Sequence, residues 1–231
     1  MSTSFSHLNQ ETGTPLPEWT ACPHPQKTVL QGHYCRLEPL VAEQHCADLW
    51  RTFSADTEHR NWTYLPYGPF DHKDQLNAWI NDTCLGADPL FYAIIDQSSG
   101  KALGVASYLR IQPAVGVIEV GHINFSPALQ QTTAATEAMF LMMKYAFDLG
   151  YRRYEWKCDN LNLGSKAAAT RLGFSYDGLF KQATIYKGRN RDTVWFSILD
   201  GAWPDLEANY KRWLAAENFN HEGKQLSSLH S

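Results

Sequence analysis

The sequence predicts an α/β domain: a mixed, mostly antiparallel sheet of about six or seven strands with helices on both faces. Three observations point there. Strand-like runs at 89–96, 101–111 and 115–125 follow one another across short turns, so they should pair as antiparallel neighbours. The run 115–125, the amphipathic stretch 136–149 and the run 152–158 then form a strand–helix–strand unit, whose two strands should lie parallel. Two helical stretches precede the strands and a hairpin follows them, which supplies helices for either face.

The elements can be justified in order. Residues 1–26 are polar and carry Pro15, Pro17, Pro23 and Pro25, the composition of an extended arm. One domain is expected over 27–200, with no linker or internal repeat. It opens with two short alternating runs around Gln31-Gly32, a hairpin signal. Val41, His45, Leu49 and Phe53 fall at helical spacing, and Asp71 and Asp74 can cap or charge a second helix that ends near Gly86. Between them lies NWTYLPYGPF (61–70), too long and apolar for an idle turn. After 152–158, a short helix should begin at Asn162 to Ser165 and stop at Gly173. A hairpin turning at 187–190 follows. Over 201–231, Pro204 starts a last helix, and the polar tail from Asn220 should be partly mobile.

Bulk properties narrow the function. Net charge of −4 and a pI near 6.1 give no global case for nucleic-acid binding. The five cysteines are odd in number, far apart, and lack both CxxC and zinc spacing, so reduced thiols in a cytoplasmic protein are expected, with no metal. No segment has the form of a signal peptide or a membrane span. Neither G-x-S-x-G, P-loop, HExxH nor G-x-G-x-x-G occurs, which removes support for hydrolase, NTPase, zinc-protease and dinucleotide readings.

The strand–turn–helix at 115–150 is the centre of the sequence. A small, hydroxyl-rich turn there leads from a strand end into a long helix, so unpaired first-turn amides and the helix dipole make an anion site. Together with IEVGHINFSPALQQTTAATEA (118–138), CDNLNLGSKAAATRLGF (158–174) and GRNRD (188–192), the element order resembles the GNAT acetyltransferases, and within them the RimJ/RimL-type branch. The likeness spans about 27–200.

That resemblance implies a GNAT fold splayed at the cofactor cleft, acetyl-CoA as donor, and an amine acceptor, either an N-terminal peptide amine or a small molecule. It implies a pyrophosphate cradle over Gln130, Gln131, Thr132, Thr133, Ala134, Ala135 and Thr136, with Thr133 standing where glycine is usual. The cradle survives if the backbone at Thr133 needs no positive φ. The hydroxyls of Thr132, Thr133 and Thr136 could add phosphate contacts, or the cluster could serve only as a helix cap. The strand end at Ile123 and Phe125 would take the pantetheine arm, Asn162 would touch it, and Ser165 would lie by the thioester sulfur. No nucleic acid or membrane is implied; a homodimer is compatible.

Amine acetylation needs a base, a donor to the carbonyl oxygen and a proton for the thiolate. Glu119 is the first candidate base, its alternative role being a rim carboxylate paired with Arg110 or another basic residue, and Ser165 is the proton donor. His122 is the second candidate, expected on the face opposite Glu119 by strand alternation. A third possibility is an acceptor that arrives partly deprotonated, since relatives can carry a carboxylate where this chain has Thr184. Trp62, Tyr64 and Tyr67 could form the acceptor rim or plug the sheet; Tyr108 is a wall or core residue. Arg189 and Arg191 are either solvated or in contact with an acidic acceptor. A non-catalytic acyl-CoA sensor is the alternative function.

Overall fold

The computed structural model describes residues 4–229. They form β1 (Ser4–Phe5), β2 (Glu11–Thr12), β3 (Leu30–Gln31), β4 (Cys35–Pro39), α1 (Ala42–Phe53), α2 (Lys73–Thr83), β5 (Leu90–Asp96), β6 (Ala102–Gln112), β7 (Val117–Phe125), α3 (Thr133–Asp148), β8 (Arg153–Asp159), α4 (Leu163–Arg171), β9 (Ser175–Tyr186), β10 (Arg189–Leu199) and α5 (Trp203–Leu214). β1 and β2 pair with each other; the rest build one sheet in the order β3-β4-β5-β6-β7-β8-β10-β9. Only β7 and β8 pair in parallel, across the α3 crossover. This is the mixed sheet expected, with eight strands rather than six or seven.

Alternation along the strands divides the interior into two cores. Tyr92, Ile94, Tyr108, Ile118, Tyr154 and Trp156 pack beneath α3 and α5. Phe91, Ala93, Ile95 and Val105 pack beneath α1 and α2, with Leu49, Phe53, Leu76 and Ile80. β5 faces both cores, which is why its sequence LFYAII is an unbroken apolar run. Each large side chain so buried contributes ~1.5–3 kcal/mol.

Glu137 on α3 ties the crossover to the sheet edge. Its carboxylate accepts from the amides of His33, Tyr34 and Cys35 at 2.8, 2.6 and 2.7 Å. A Cβ at Gly32 would come within 2.5 Å of that carboxylate, so the turn requires glycine. Gly173 stops α4 with φ +92°, as expected.

The arm docks between Trp19 and Gln26: Trp19 Nε1 donates to Ala114 O (2.9 Å) and Cys22 N to Pro113 O (3.1 Å). The tail is not loose as expected. Trp213 Nε1 donates to Gln225 (2.9 Å), Ser227 N to Asn218 (2.9 Å), and Leu229 enters the core beneath α5. Asp71 does not cap α2; His72 holds that position without a side-chain bond, and Asp74 supplies the first-turn charge. No helix among the described residues is long and apolar enough to cross a membrane.

Candidate active site

β7 and β8 pair only from Val117/Arg153 to Val120/Trp156. Beyond that point β8 stays with β10 as far as Asp159/Thr193, while Gly121–Phe125 stay with β6. The two strands therefore separate, and a cleft of about 1380 Å³ opens between them. That exceeds the ~300–1,000 Å³ of ordinary small-molecule sites and leaves room for two substrates.

Two bulges shape the acceptor end. In β7, Val105 pairs with Asn124 but Ser107 pairs with Gly121, so β7 carries one extra residue there and His122 takes φ +51°. In β6, the register slips between Leu109/Glu119 and Gln112/Val117, and Arg110 takes φ +47°. Asp88 secures this second bulge by accepting from the amides of Arg110 and Ile111 at 2.9 and 3.0 Å. The β7 bulge reverses the expected orientation of His122. Simple alternation would place it opposite Glu119, but the extra residue turns it to the same face. There it stacks on Tyr67 (centroids 5.6 Å) and packs against Phe91 (4.9 Å).

At the other end of the cleft, Thr132 caps α3: its hydroxyl accepts from Ala135 N (3.1 Å) and donates to Leu129 O (2.7 Å). Thr136 accepts from Arg171 (3.1 Å). The amides of Gln131, Thr133 and Ala134 have no acceptor among the described residues. Positive φ falls on Gln131 (+60°), one of the residues just before the helix, and not on Thr133, which opens α3. A threonine is therefore accommodated at the position where the resemblance implies glycine. Gln130 Nε2 donates to Phe125 O (2.8 Å), as does Asn61 Nδ2 (2.9 Å), which leaves that carbonyl fully engaged. Ile123 lies in the stretch of β7 that has no β8 partner.

Across the gap, Asn162 caps α4 by accepting from Ser165 N (3.0 Å), and Trp156 Nε1 donates to Ser165 Oγ (2.9 Å). The serine oxygen is thus satisfied while its O–H remains a donor.

Glu119 is only 3% exposed yet borders the cleft. It accepts from Arg110 Nε (2.6 Å) and lies 3.0 Å from Lys157 Nζ, which also meets Glu155 at 2.8 Å. Arg153 binds Glu155 (2.7 Å) and Asp177 (2.5 Å), extending an alternating row of charges across four strands. Lys157 sits over the Trp195 ring at 3.4 Å. Burial raises the Glu119 carboxyl above the usual range, against the pull of Lys157 and Arg110. Glu155 is also buried, but its bonds to Arg153 and Lys157 hold it below that range. Burial, then the nearby Arg110 charge, pushes His122 down to about 4, so its imidazole is neutral at physiological pH.

The cleft brings together Glu119, Ile123, Phe125, Gln130, Gln131, Thr132, Thr133, Ala135, Thr136, Asn162, Ser165 and Tyr64. Ala134 does not line the cleft; it borders a separate hollow beside Tyr34. Trp62 and Tyr108 do not reach the cleft. Trp62 is buried against Phe53 and Phe70, and Tyr108 lies under α3 with its hydroxyl on Met142 O (2.5 Å). Tyr67 backs His122, with 3.2 Å between its hydroxyl and Nδ1. Tyr64 spans the cleft mouth by donating to Leu161 O (3.1 Å). Sequence reasoning missed Asn124, 2% exposed with neither amide atom bonded, and Trp195. Lys157 was visible in the alternation Arg153, Glu155, Lys157. Asp192, part of the GRNRD resemblance, accepts from the amide of Gln182 (2.8 Å) at a bulge in β9 and so has a structural job.

Residues 35–175 match the family model described as "Acetyltransferase (GNAT) domain". No curated protein matches the chain. Among solved structures, it is similar to a GCN5-related N-acetyltransferase from Brucella melitensis: 45% identity, TM-score 0.91, covering 93% of this chain and 98% of that one. A probable GNAT-family acetyltransferase from Chromobacterium violaceum shares 44% identity at TM-score 0.78, over 84% of this chain and 96% of that one. The microcin C7 self-immunity acetyltransferase MccE, crystallised with acetyl-CoA and AMP, is 20% identical at TM-score 0.64, covers 73% and 93%, and shows likeness of fold alone. With a family model matched over more than half its length and a relative 45% identical along nearly all of it, this chain belongs to the GNAT family and is an acetyltransferase.

Proposed function

We propose that the protein transfers the acetyl group of acetyl-CoA directly to a primary amine, on a peptide N-terminus or a small molecule, as a member of the RimJ/RimL-type branch. One observation carries this reading: the separation of β7 from β8 beyond Val120/Trp156 makes a single cleft that joins free helix-end amides to a buried carboxylate.

At one end, the amides of Gln131, Thr133 and Ala134 receive the pyrophosphate, favoured by the α3 dipole. The stretch of β7 around Ile123, which has no β8 partner, takes the pantetheine arm and offers an amide to the thioester oxygen. Asn162 orders the start of α4 so that the Ser165 hydroxyl faces the departing sulfur. At the other end, Glu119 accepts the ammonium proton, directly or through water. Its raised pKa suits it to that work better than a surface carboxylate. Arg110 and Lys157 hold it in place. His122, on the same face, is neutral but too weak a base to compete, and lines the pocket with Tyr64.

Calorimetry with acetyl-CoA, coupled to thiol release over a panel of amines and peptides, tests the proposal. Binding with release on at least one amine class is expected. Absence of acetyl-CoA binding would refute it.

A further inference from the structure

Among the described residues, one cation bordering the cleft has a buried N–H without a hydrogen-bond partner. Arg60 meets Glu58, Arg110 meets Glu119, and Lys157 meets two carboxylates. Arg171 is bonded to Thr136 and lies over Trp213. Arg191 borders the same cleft and makes no ion pair. Its guanidinium lies 5.7 Å from the Tyr186 ring, and its Nε is buried without a hydrogen-bond partner. Asp159 shares this wall, but its oxygens are taken by the Leu161 amide (2.8 Å) and the Tyr186 hydroxyl (2.9 Å).

A buried guanidinium N–H without an acceptor is costly unless a ligand supplies one. The planar fork of a guanidinium suits the paired oxygens of a carboxylate or phosphate. Arg191 stands on β10 past its last pairing with β8, Thr193/Asp159, beside the 159–162 loop. That loop is tied to the acceptor segment by Tyr64 on Leu161, and the hairpin turn is tied to the same segment by Lys187 Nζ on Trp62 O (2.7 Å). Arg191 is therefore on the β10 side of the cleft, next to the 61–70 segment, while the unpaired α3 amides are on β7's far side.

We propose that the acceptor amine bears a second, anionic group, a carboxylate or phosphate ester, and that Arg191 is the specificity-determining residue that binds it. This deepens the acetyl-transfer reading and rests on it.

The test uses matched primary amines that differ only in that group: amino acids and acidic dipeptides against their carboxamides, and phosphoethanolamine against ethanolamine. With thiol release as readout, wild type should prefer one anionic series on the order of 100-fold in kcat/KM. Arg191→Gln and Arg191→Lys should abolish and weaken that preference, with neutral amines and acetyl-CoA affinity unchanged. Which series is preferred identifies the oxyanion. Equal use of charged and neutral partners, a preference that survives Arg191→Gln, or lost acetyl-CoA affinity in that variant would overturn the proposal. Calorimetric titration of the same pairs into the CoA-loaded protein separates the two readings. Arg191-dependent binding of anionic amines without turnover would keep the subsite and sink the transfer reading; equal binding of both partners would sink the subsite alone.

Discussion

Replacing Glu119 by glutamine removes one negative charge at nearly constant volume, from a carboxylate 3% exposed between Arg110 and Lys157. Removing one member of a buried ion pair costs ~3–5 kcal/mol when the other charge is stranded. Neither cation is stranded here. Lys157 retains Glu155 at 2.8 Å and the Trp195 face, and the Arg110 side chain is 53% exposed to water. The stability loss should therefore be about 1–2 kcal/mol, a fall in Tm of a few degrees for a chain of this size. Catalysis should suffer more. A positioned base contributes ~10²–10⁴-fold, so kcat near neutral pH should drop at least ~100-fold, equivalent to ~2.7 kcal/mol of barrier.

The pH profile separates lost base from lost structure. In wild type, kcat/KM rises with pH as Glu119 ionises, on a limb displaced upward because burial raises that carboxyl. Glu119→Gln lacks this limb, and its rate should climb about tenfold per pH unit until the acceptor's own amine is deprotonated. Acetyl-CoA affinity, set at the α3 end, should not change. Thiol-release kinetics, calorimetry and a thermal melt supply the three readouts. Unchanged kcat with an unchanged profile would remove Glu119 from the mechanism, and a matching loss of acetyl-CoA affinity would mean that its role is to hold the cleft.

Ala135→Asp sets a charge beside the α3 amides, so calorimetry should find acetyl-CoA binding abolished while the melt stays cooperative; retained affinity would displace the cradle from this helix end. Thr132→Ala removes the cap to Ala135 N and should cost ~1 kcal/mol, read by denaturant unfolding with m unchanged. His122 titrates at about 4 in the fold against ~6.5 unfolded, so the unfolded chain takes up the proton first on acidification. Its contribution is complete above pH 6.5 and is lost as pH falls through 4, a gap worth at most ~3 kcal/mol. His122→Asn, which tolerates the positive φ, should therefore narrow the stability difference from wild type across that window; a constant difference would refute the assignment.

The cofactor end was legible because its determinants are local. Thr132 and Asn162 sit one residue before their helices and bond three residues ahead, so a cap is written in adjacent letters. The β7–α3–β8 crossover has one allowed topology, and the antiparallel neighbours follow from short turns. The hairpin signal around Gln31-Gly32 is met by β3 and β4, which pair antiparallel from Leu30/Leu37 to Gln31/Arg36. The packed tail was missed because its anchors, Asn218 and Leu229, have no periodic signature and act through contacts made only after α5 folds.

The acceptor end resisted for a different reason. Alternation assigns faces only while every residue is paired, and each bulge breaks the count by one. The bulges at Arg110 and His122 do so on neighbouring strands. Arg110 is thereby delivered to Glu119, and His122 is moved from the core beneath α3 to the acceptor face beside Tyr67. The local sequence marks them weakly: Gly121, beside His122, is a strand glycine of the kind that accompanies a bulge, whereas the stabilising partner of the bulge at Arg110, Asp88, lies 22 positions away. The same displacement leaves Asn124 pointing into the cleft with its amide unbonded, where unshifted alternation from Glu119 would have turned it into the opposite core. Strain held at two positions by distant contacts is what a fold retains when it needs several polar groups converging on one face. In this chain, those groups meet where the proton must leave the amine.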